Sequence, residues 1–282
     1  MNDIDEQPLM FGPEGRLFGV TTAPHAAGTT SLACLMLNMG TTHRIGPHRL
    51  NVKLSRRLAR QGVTSLRFDL SGVGDSPAAR STAHFRDQAV QDMKAAMDHI
   101  EMSAGIRRFV IFGMCSGAVN GYSLALSDAR VVGLLMFDGF AYPSLRARFD
   151  RNWHRLRAMP SNPAVVDKTG RWAKRLFGAS SRERAGIFDV DGTSKPAPAE
   201  FTKAVDELLA RGVSLYLIYS GTLHARDRDH DQLSAFGNAP FVERIRYEFM
   251  GDVDHTVVSI AAQQKLMSAV CDWVDDVADA QA

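Results

Sequence analysis

Apolar, strand-like runs alternate with helical patterns along most of this chain. SLACLMLNM at 31–39, VTSLRFDL at 63–70 and RFVIFGM at 108–114 are each followed by a segment with helical spacing of apolar residues. Continuous apolar runs of this kind are typical of strands buried on both faces of a parallel sheet. Right-handed crossovers place the connecting helices on both faces. The order therefore predicts an α/β fold with a mostly parallel, doubly wound sheet.

The remaining elements extend this pattern to both ends of the chain. A hairpin at the start includes a strand at 16–24. Further strands are predicted at 131–138, 213–219 and 244–250, and helices at 50–59, 81–104, 116–127, 196–211 and 257–277. With 282 residues, 45% of them hydrophobic and 23% charged, the chain can bury one large core. We predict a single domain over 1–282.

Composition excludes several classes of protein and site. Lys and Arg number 33 against 31 Asp and Glu, so the whole chain gives no electrostatic case for nucleic acid. The three cysteines form no CxxC pair, which argues against a disulfide framework or a structural zinc site. The sequence shows no signal peptide and no run of 18 apolar residues. We expect a soluble cytoplasmic protein without a membrane span; the oligomeric state stays open.

One segment, 142–195, interrupts the alternation. It contains twelve Lys and Arg against five Asp and Glu. Trp153, Leu156, Trp172 and Leu176 supply apolar faces at helical spacing. The segment is predicted to be an inserted basic helical cap. Its charge fits either a solvated surface or contact with an anionic ligand or partner.

A glycine-flanked turn gives the strongest local indication of chemistry. Gly113-Met-Cys-Ser-Gly117 directly follows an apolar strand and precedes a helix, the setting of a G-x-nucleophile-x-G elbow. Cys115 lies at the centre of this turn, and a thiol at a helix N-terminus ionises readily. Cys115 is therefore the predicted nucleophile rather than Ser116. The backbone N–H of Ser116 is predicted to stabilise the developing oxyanion.

Two loops complete this constellation. Asn38-Met-Gly-Thr41 ends an earlier strand, where the backbone N–H of Thr41 can supply the second oxyanion donor. Gly251-Asp-Val-Asp-His-Thr256 follows the last strand, and His255 is the predicted general base. A lone loop histidine is usually a surface residue, but here the nucleophile and the base occur in the order that such sites require.

In these motifs the chain resembles the α/β-hydrolases. The resemblance rests on the Asp69-x-Ser-Gly-x-Gly-Asp-Ser76 turn, the elbow and the terminal Asp-His-Thr, and it extends over nearly the whole sequence. The loop from Asn38 to Arg49 and the elbow are similar to bacterial hydrolases associated with exosortase and exopolysaccharide gene clusters. The resemblance implies an eight-stranded sheet, a cap after the sixth strand, and acyl-transfer chemistry on esters, thioesters or amides. Two positions depart from the family pattern, since the usual serine is Cys115 and the usual His-Gly is Met39-Gly40.

The sequence leaves open which acidic residue orients His255. The resemblance implies a position after the seventh strand, where the loop from Thr222 to Asp231 reads TLHARDRDHD. Asp227 is the first candidate, with Asp229 and Asp231 next. His224 occupies the spacing where the acid is expected first. Asp138, at the end of the sixth strand, is the alternative.

We expect no cofactor and no bound metal. His224, Asp227, Asp229, His230 and Asp231 carry possible ligand groups, but consecutive loop residues point in different directions. The favoured hypothesis is hydrolysis of a small-molecule acyl ester or thioester through an acyl-Cys115 intermediate. An acyl group on an anionic carrier is one form that this substrate can take. The alternatives are an acyltransferase that uses the same intermediate and a non-catalytic protein that binds a ligand in the same pocket.

Overall fold

A computed structural model describes residues 4–25, 30–157, 195–222, 227 and 230–280. Its eight strands form one sheet. They are β1 (Ile4–Phe11), β2 (Leu17–Pro24), β3 (Leu32–Met36), β4 (Thr64–Phe68), β5 (Arg108–Met114), β6 (Val131–Phe137), β7 (Ser214–Ser220) and β8 (Arg246–Met250). The fully buried β3 and β4 agree with the continuous apolar runs in the sequence.

The strand order is β1-β2-β4-β3-β5-β6-β7-β8. β1 pairs antiparallel with β2, and β2 pairs antiparallel with β4. Every other pairing is parallel. The carboxyl ends of β3, β5, β6, β7 and β8 therefore lie at one edge of the sheet, where ligands bind in open α/β folds. The predicted eight-stranded, mostly parallel sheet is confirmed.

The helices cover both faces of this sheet. They are α1 (Leu50–Arg60), α2 (Phe85–Ala104), α3 (Ser116–Ser127), α4 (Leu145–Arg157), α5 (Pro198–Ala210), α6 (Pro240–Arg244) and α7 (Ile260–Ala280). Leu54 of α1 and Trp273 of α7 belong to the core on one face. Met93 of α2, Leu124 of α3 and Leu208 of α5 belong to the core on the other. The sheet is thus shielded on both sides, as a parallel sheet requires.

Two helices begin later than the sequence pattern predicts. The helix expected from Ser81 begins at Phe85, because His84 has extended backbone angles. The helix expected from Val257 begins at Ile260, since Val257 itself has a left-handed φ of 52°. The Asp254 carboxylate accepts the N–H groups of Thr256 and Val258 at 2.9 and 3.0 Å and holds this turn outside the helix.

Only the ends of the predicted cap are described. Helix α4 follows β6 at the expected place, and Arg146 and Arg148 on it are exposed. Residues 158–194, with Trp172 and Leu176, lie outside the described residues. The limits 142–195 therefore stay a prediction. Within the described ranges, each helix is too short or too polar to cross a bilayer.

Candidate active site

Cys115 occupies a strained turn between β5 and α3. Its φ and ψ are 53° and −117°, an unusual conformation for a residue with a side chain. The backbone N–H of Cys115 donates to Phe137 O at 2.9 Å and fixes the turn to β6. A Cβ on Gly113 would lie 2.5 Å from Gly117 O, and a Cβ on Gly117 would lie 2.6 Å from Asn38 O. The backbone therefore permits only glycine on either side, as the elbow motif predicts.

His255 connects the thiol to a buried carboxylate. Nδ1 of His255 lies 2.6 Å from Oδ2 of Asp138, whose side chain is fully buried. The Cys115 side chain interacts with the same imidazole and contributes to its raised pKa. Because Nδ1 faces Asp138, Nε2 is the nitrogen that remains for the thiol. The structure thus brings Cys115 and His255 together as predicted and adds Asp138 as the third member.

Asp138 is held in place by the neighbouring strand. Oδ1 accepts the backbone N–H of Ser220 at 2.7 Å, and Oδ2 accepts the Ser220 hydroxyl at 2.6 Å. Asp138 N donates to Ile218 O at 2.9 Å. Asp138 also has a positive φ of 49°, which turns its side chain out of the strand geometry of β6. Thr222 Oγ1 accepts the backbone N–H of His255 at 2.8 Å, so β7 and the loop after it fix both partners.

These contacts set the protonation state of His255. The hydrogen bond to Asp138, followed by the one to Cys115, raises the pKa of His255 to about 10 and outweighs the desolvation that lowers it. The imidazole therefore holds a proton at neutral pH and can pair with a thiolate. The Asp138 side chain is fully buried, and its two carboxyl oxygens accept hydrogen bonds from the Ser220 N–H and hydroxyl.

We expect His255 to remain an imidazolium well above the pH at which a free histidine titrates. Its contribution to the free energy of unfolding is then fully present below pH 6.5 and is lost as the pH rises towards about 10. NMR of histidine-labelled protein checks this, with His99 as an internal control because burial lowers the pKa of His99. A neutral His255 at about pH 8 would contradict the assignment.

The predicted oxyanion donors lie on two neighbouring segments. Met39 and Thr42 close a turn, with Thr42 N donating to Met39 O at 3.0 Å, and Thr41 is one of its two central residues. Ser116 begins α3 directly after the nucleophile. Across the described ranges, neither the Thr41 N–H nor the Ser116 N–H has a protein acceptor. Both amides are thus available to a ligand.

A buried carboxylate fixes the loop that carries Thr41. Asp69 accepts bonds from the backbone N–H and the guanidinium of Arg44, both at 2.6 Å, and from the Asn38 side chain at 3.1 Å. The backbone N–H of Asp75 donates to Asp69 at 3.1 Å. Asn38 also donates to Thr42 O at 3.0 Å. The glycine-rich turn from Asp69 to Ser76 therefore supports the loop after β3.

Gly74→Ala should destabilise the protein by about 2–4 kcal/mol more than Gly72→Ala. Both glycines have positive φ, 55° and 78°, so both substitutions strain the backbone. Only at Gly74 would the added Cβ meet Asp69 Oδ2, at 2.4 Å; at Gly72 the nearest atom is 3.8 Å away. Urea unfolding of the two variants measures the difference. Equal losses would show that the Asp69 network contributes little.

The structure places Asp138, the alternative acid, beside His255 and does not place Asp227, the first candidate, there. Asp227 accepts the backbone N–H of Asp231 at 2.8 Å and a short hydrogen bond from the Tyr247 hydroxyl. These contacts fix its own loop, and Asp138 occupies the position beside His255. Asp231 begins a short 3-10 turn. His224 and Asp229 lie outside the described residues.

Ser220 and Thr222, which hold Asp138 and His255 in place, were not predicted from the sequence. The order of the strands indicates which residues can lie near Asp138, because β6 lies between β5 and β7. A carboxylate that directly follows β6 therefore lies between the elbow after β5 and the end of β7. Phe137 pairs with Ile218, so Asp138 lies beside the last residues of β7, which ends at Ser220.

Within the described part of the chain, the other potentially reactive groups do not form a second site. Cys34 and Cys271 are buried in the core, and burial raises the pKa of each thiol, that of Cys271 to about 12. Among the described residues, no cluster of three or more His, Cys, Asp or Glu side chains could hold a metal ion. Cys115 is only partly buried, and it lies at the N-terminus of α3, where the helix dipole favours negative charge.

Comparison with solved structures shows the same fold. A proline iminopeptidase from Mycobacterium smegmatis aligns with a TM-score of 0.57 and 17% identity over 99% of this chain and 100% of its own. An esterase from Pyrococcus furiosus aligns at 0.56 and 13% identity, over 97% and 91%. A serine hydrolase from Xanthomonas campestris that lacks a lid aligns at 0.55 and 15% identity, over 98% and 95%.

Comparison of the sequence gives the family. No curated protein matches the chain. A family model described as the alpha/beta hydrolase family matches residues 38–266, a range that contains the elbow, Asp138 and His255. This range covers well over half of the chain and agrees with the sheet order and with the positions of the three side chains. The chain belongs to the alpha/beta hydrolase family.

Proposed function

We propose that the protein hydrolyses activated acyl groups, esters or thioesters, through a covalent acyl-Cys115 intermediate. The observation that carries this proposal is the imidazole of His255, which is hydrogen-bonded to the buried Asp138 and interacts with Cys115. A nucleophile, a base and an orienting carboxylate in contact form the minimum set for nucleophilic acyl transfer.

The reaction begins with a thiolate. The raised pKa of His255 favours a proton on the imidazole. The Cys115 sulfur then attacks the acyl carbon, and the carbonyl electrons move to oxygen to give a tetrahedral oxyanion. The N–H groups of Thr41 and Ser116 bind this oxygen. As the intermediate collapses, the bond to the leaving alcohol or thiol breaks, and the imidazolium supplies its proton.

Water completes the cycle. His255, now neutral, removes a proton from a water molecule that attacks the acyl-Cys115 thioester. A second oxyanion forms at the same amides, the carbon–sulfur bond breaks, and a carboxylic acid is released. The proton remains on His255 beside the regenerated thiolate. Asp138 stays ionised throughout, since its role is to orient the imidazole and stabilise its charge.

The sulfur nucleophile and the basic segment narrow the substrate class. A thiolate attacks activated acyl groups readily and depends less on an orienting acid than a serine hydroxyl does. The segment 142–195 has twelve basic residues against five acidic ones, and its described part exposes Arg146 and Arg148. These charges favour an acyl group carried on an anionic leaving group.

A panel of substrates tests the proposal. Purified protein is assayed with p-nitrophenyl esters of increasing acyl length, with the matching N-acetylcysteamine thioesters, and with acyl thioesters of an anionic carrier. We expect a burst of leaving group about equal to the enzyme concentration, followed by slower turnover, because acylation and deacylation are separate steps. Absence of both burst and turnover with every acyl donor would contradict the proposal.

A further inference from the structure

Ser116 makes a hydrogen bond that the mechanism does not use. Its hydroxyl oxygen accepts the backbone N–H of Gly40 at 2.7 Å, across 76 positions of sequence. Ser116 is the first residue of α3, after the N-cap residue Cys115. Its hydroxyl contacts the turn that closes between Met39 and Thr42.

This bond joins the two segments that carry the predicted oxyanion donors. Gly40 directly precedes Thr41 in the turn, and Ser116 supplies the other donor from its own backbone. The bonds from Asn38 to Thr42 O and to Asp69 hold the base of the turn. The Ser116 hydroxyl holds its tip, so the two donors are fixed relative to each other by the side chain of one of them.

The same bond distinguishes between the two N–H groups at the tip. The Gly40 N–H is occupied by Ser116 Oγ, whereas the Thr41 N–H has no protein acceptor within the described part of the chain. A substrate oxygen can therefore use Thr41 without breaking a protein hydrogen bond. This supports Thr41 rather than Gly40 as the donor on the loop.

We propose that the Ser116 side chain is a positioning residue that couples the two halves of the oxyanion hole. The inference rests on the proposed acyl-transfer function. Removing one oxyanion donor from an enzyme reduces kcat by about 10²–10³-fold. Releasing a donor that can still reach its place should cost less. We expect Ser116→Ala to slow acylation of Cys115 by about 10–100-fold.

Two reactions of the Cys115 sulfur distinguish positioning of the oxyanion donors from a general effect of Ser116 on the structure. Acylation by p-nitrophenyl acetate passes through an oxyanion, whereas alkylation by iodoacetamide displaces iodide at carbon and forms none. Ser116→Ala should slow the first reaction and change the second by less than about twofold. Ser116→Thr, which keeps the hydroxyl, should restore acylation. Ser123→Ala is the matched control on α3, because the Ser123 hydroxyl bonds within the helix to Val119 O.

The outcomes are distinct. Unchanged acylation in Ser116→Ala, or equal slowing of acylation and alkylation, would overturn the positioning role while leaving the nucleophile in place. If wild-type protein is not acylated at all, the proposed function fails, and amide exchange of Gly40 then decides. Faster exchange of the Gly40 N–H in Ser116→Ala than in Ser123→Ala supports the coupling, and unchanged exchange contradicts it.

Discussion

Cys115→Ala is expected to reduce hydrolysis of p-nitrophenyl acetate by about 10³-fold or more. The variant keeps the oxyanion amides, His255 and Asp138 but removes the atom that forms the acyl bond. Only binding and the preorganised amides then act on the ester, and they accelerate attack by water weakly. The rates are measured at saturating and at limiting ester concentration, so that loss of kcat is separated from loss of binding.

The matched control for this variant is Cys34→Ala. Cys34 lies in β3 and is buried, and burial raises the pKa of its thiol, so it cannot act as a thiolate near neutrality. Its replacement should cost stability through lost packing but leave kcat within about threefold. Retained activity in Cys115→Ala would exclude Cys115 as the nucleophile, whereas an equal loss in folded Cys34→Ala would show that the effect is not specific to Cys115.

Asp138→Asn should reduce kcat/KM by about 10²–10³-fold, whereas Asp227→Asn should change it by less than about threefold. The physical reason is the tautomer of His255. An asparagine Oδ1 can still accept the Ser220 N–H, which leaves its NH₂ group facing Nδ1. Nδ1 must then accept a hydrogen bond, and the single proton of the neutral ring lies on Nε2. The imidazole can then no longer take the thiol proton to form the thiolate–imidazolium pair.

The pH dependence distinguishes this effect from a loss of folding. In Asp138→Asn the hydrogen bond that contributes most to the raised pKa of His255 is lost, so the imidazole should titrate closer to 6.5. The Asp227→Asn variant should keep the wild-type profile, because Asp227 contacts Tyr247 and the backbone of Asp231. A larger effect in Asp227→Asn than in Asp138→Asn would reverse the assignment of the acid.

The elbow turn and the loops beside it could be predicted because their geometry is local. Gly113 and Gly117 fit only where backbone segments approach closely, and this requirement is visible as a motif in the sequence. The order of strand-like runs also fixed which loops reach the same edge. Cys115 and His255 are 140 residues apart in the sequence and share no local pattern. They come together because β5 and β8 run parallel in the same sheet.

The acid could not be predicted, because two carboxylates follow two neighbouring strands. Asp138 directly follows β6, and Asp227 lies in the loop after β7. The choice depends on hydrogen bonds made by residues distant in sequence, namely Ser220 to Asp138 and Tyr247 to Asp227. The role of the Ser116 side chain is hidden for the same reason, since its partner Gly40 comes from another loop.

Peptide mapping of the acylated protein tests the central claim most directly. Wild-type protein is incubated with a p-nitrophenyl ester or an acyl thioester, quenched in acid during the burst, digested and analysed by mass spectrometry. The account predicts one acyl group, located on Cys115 and absent from Cys115→Ala. An acyl group on Ser116, an equal adduct in Cys115→Ala, or turnover without any adduct under conditions where deacylation is rate-limiting would contradict it.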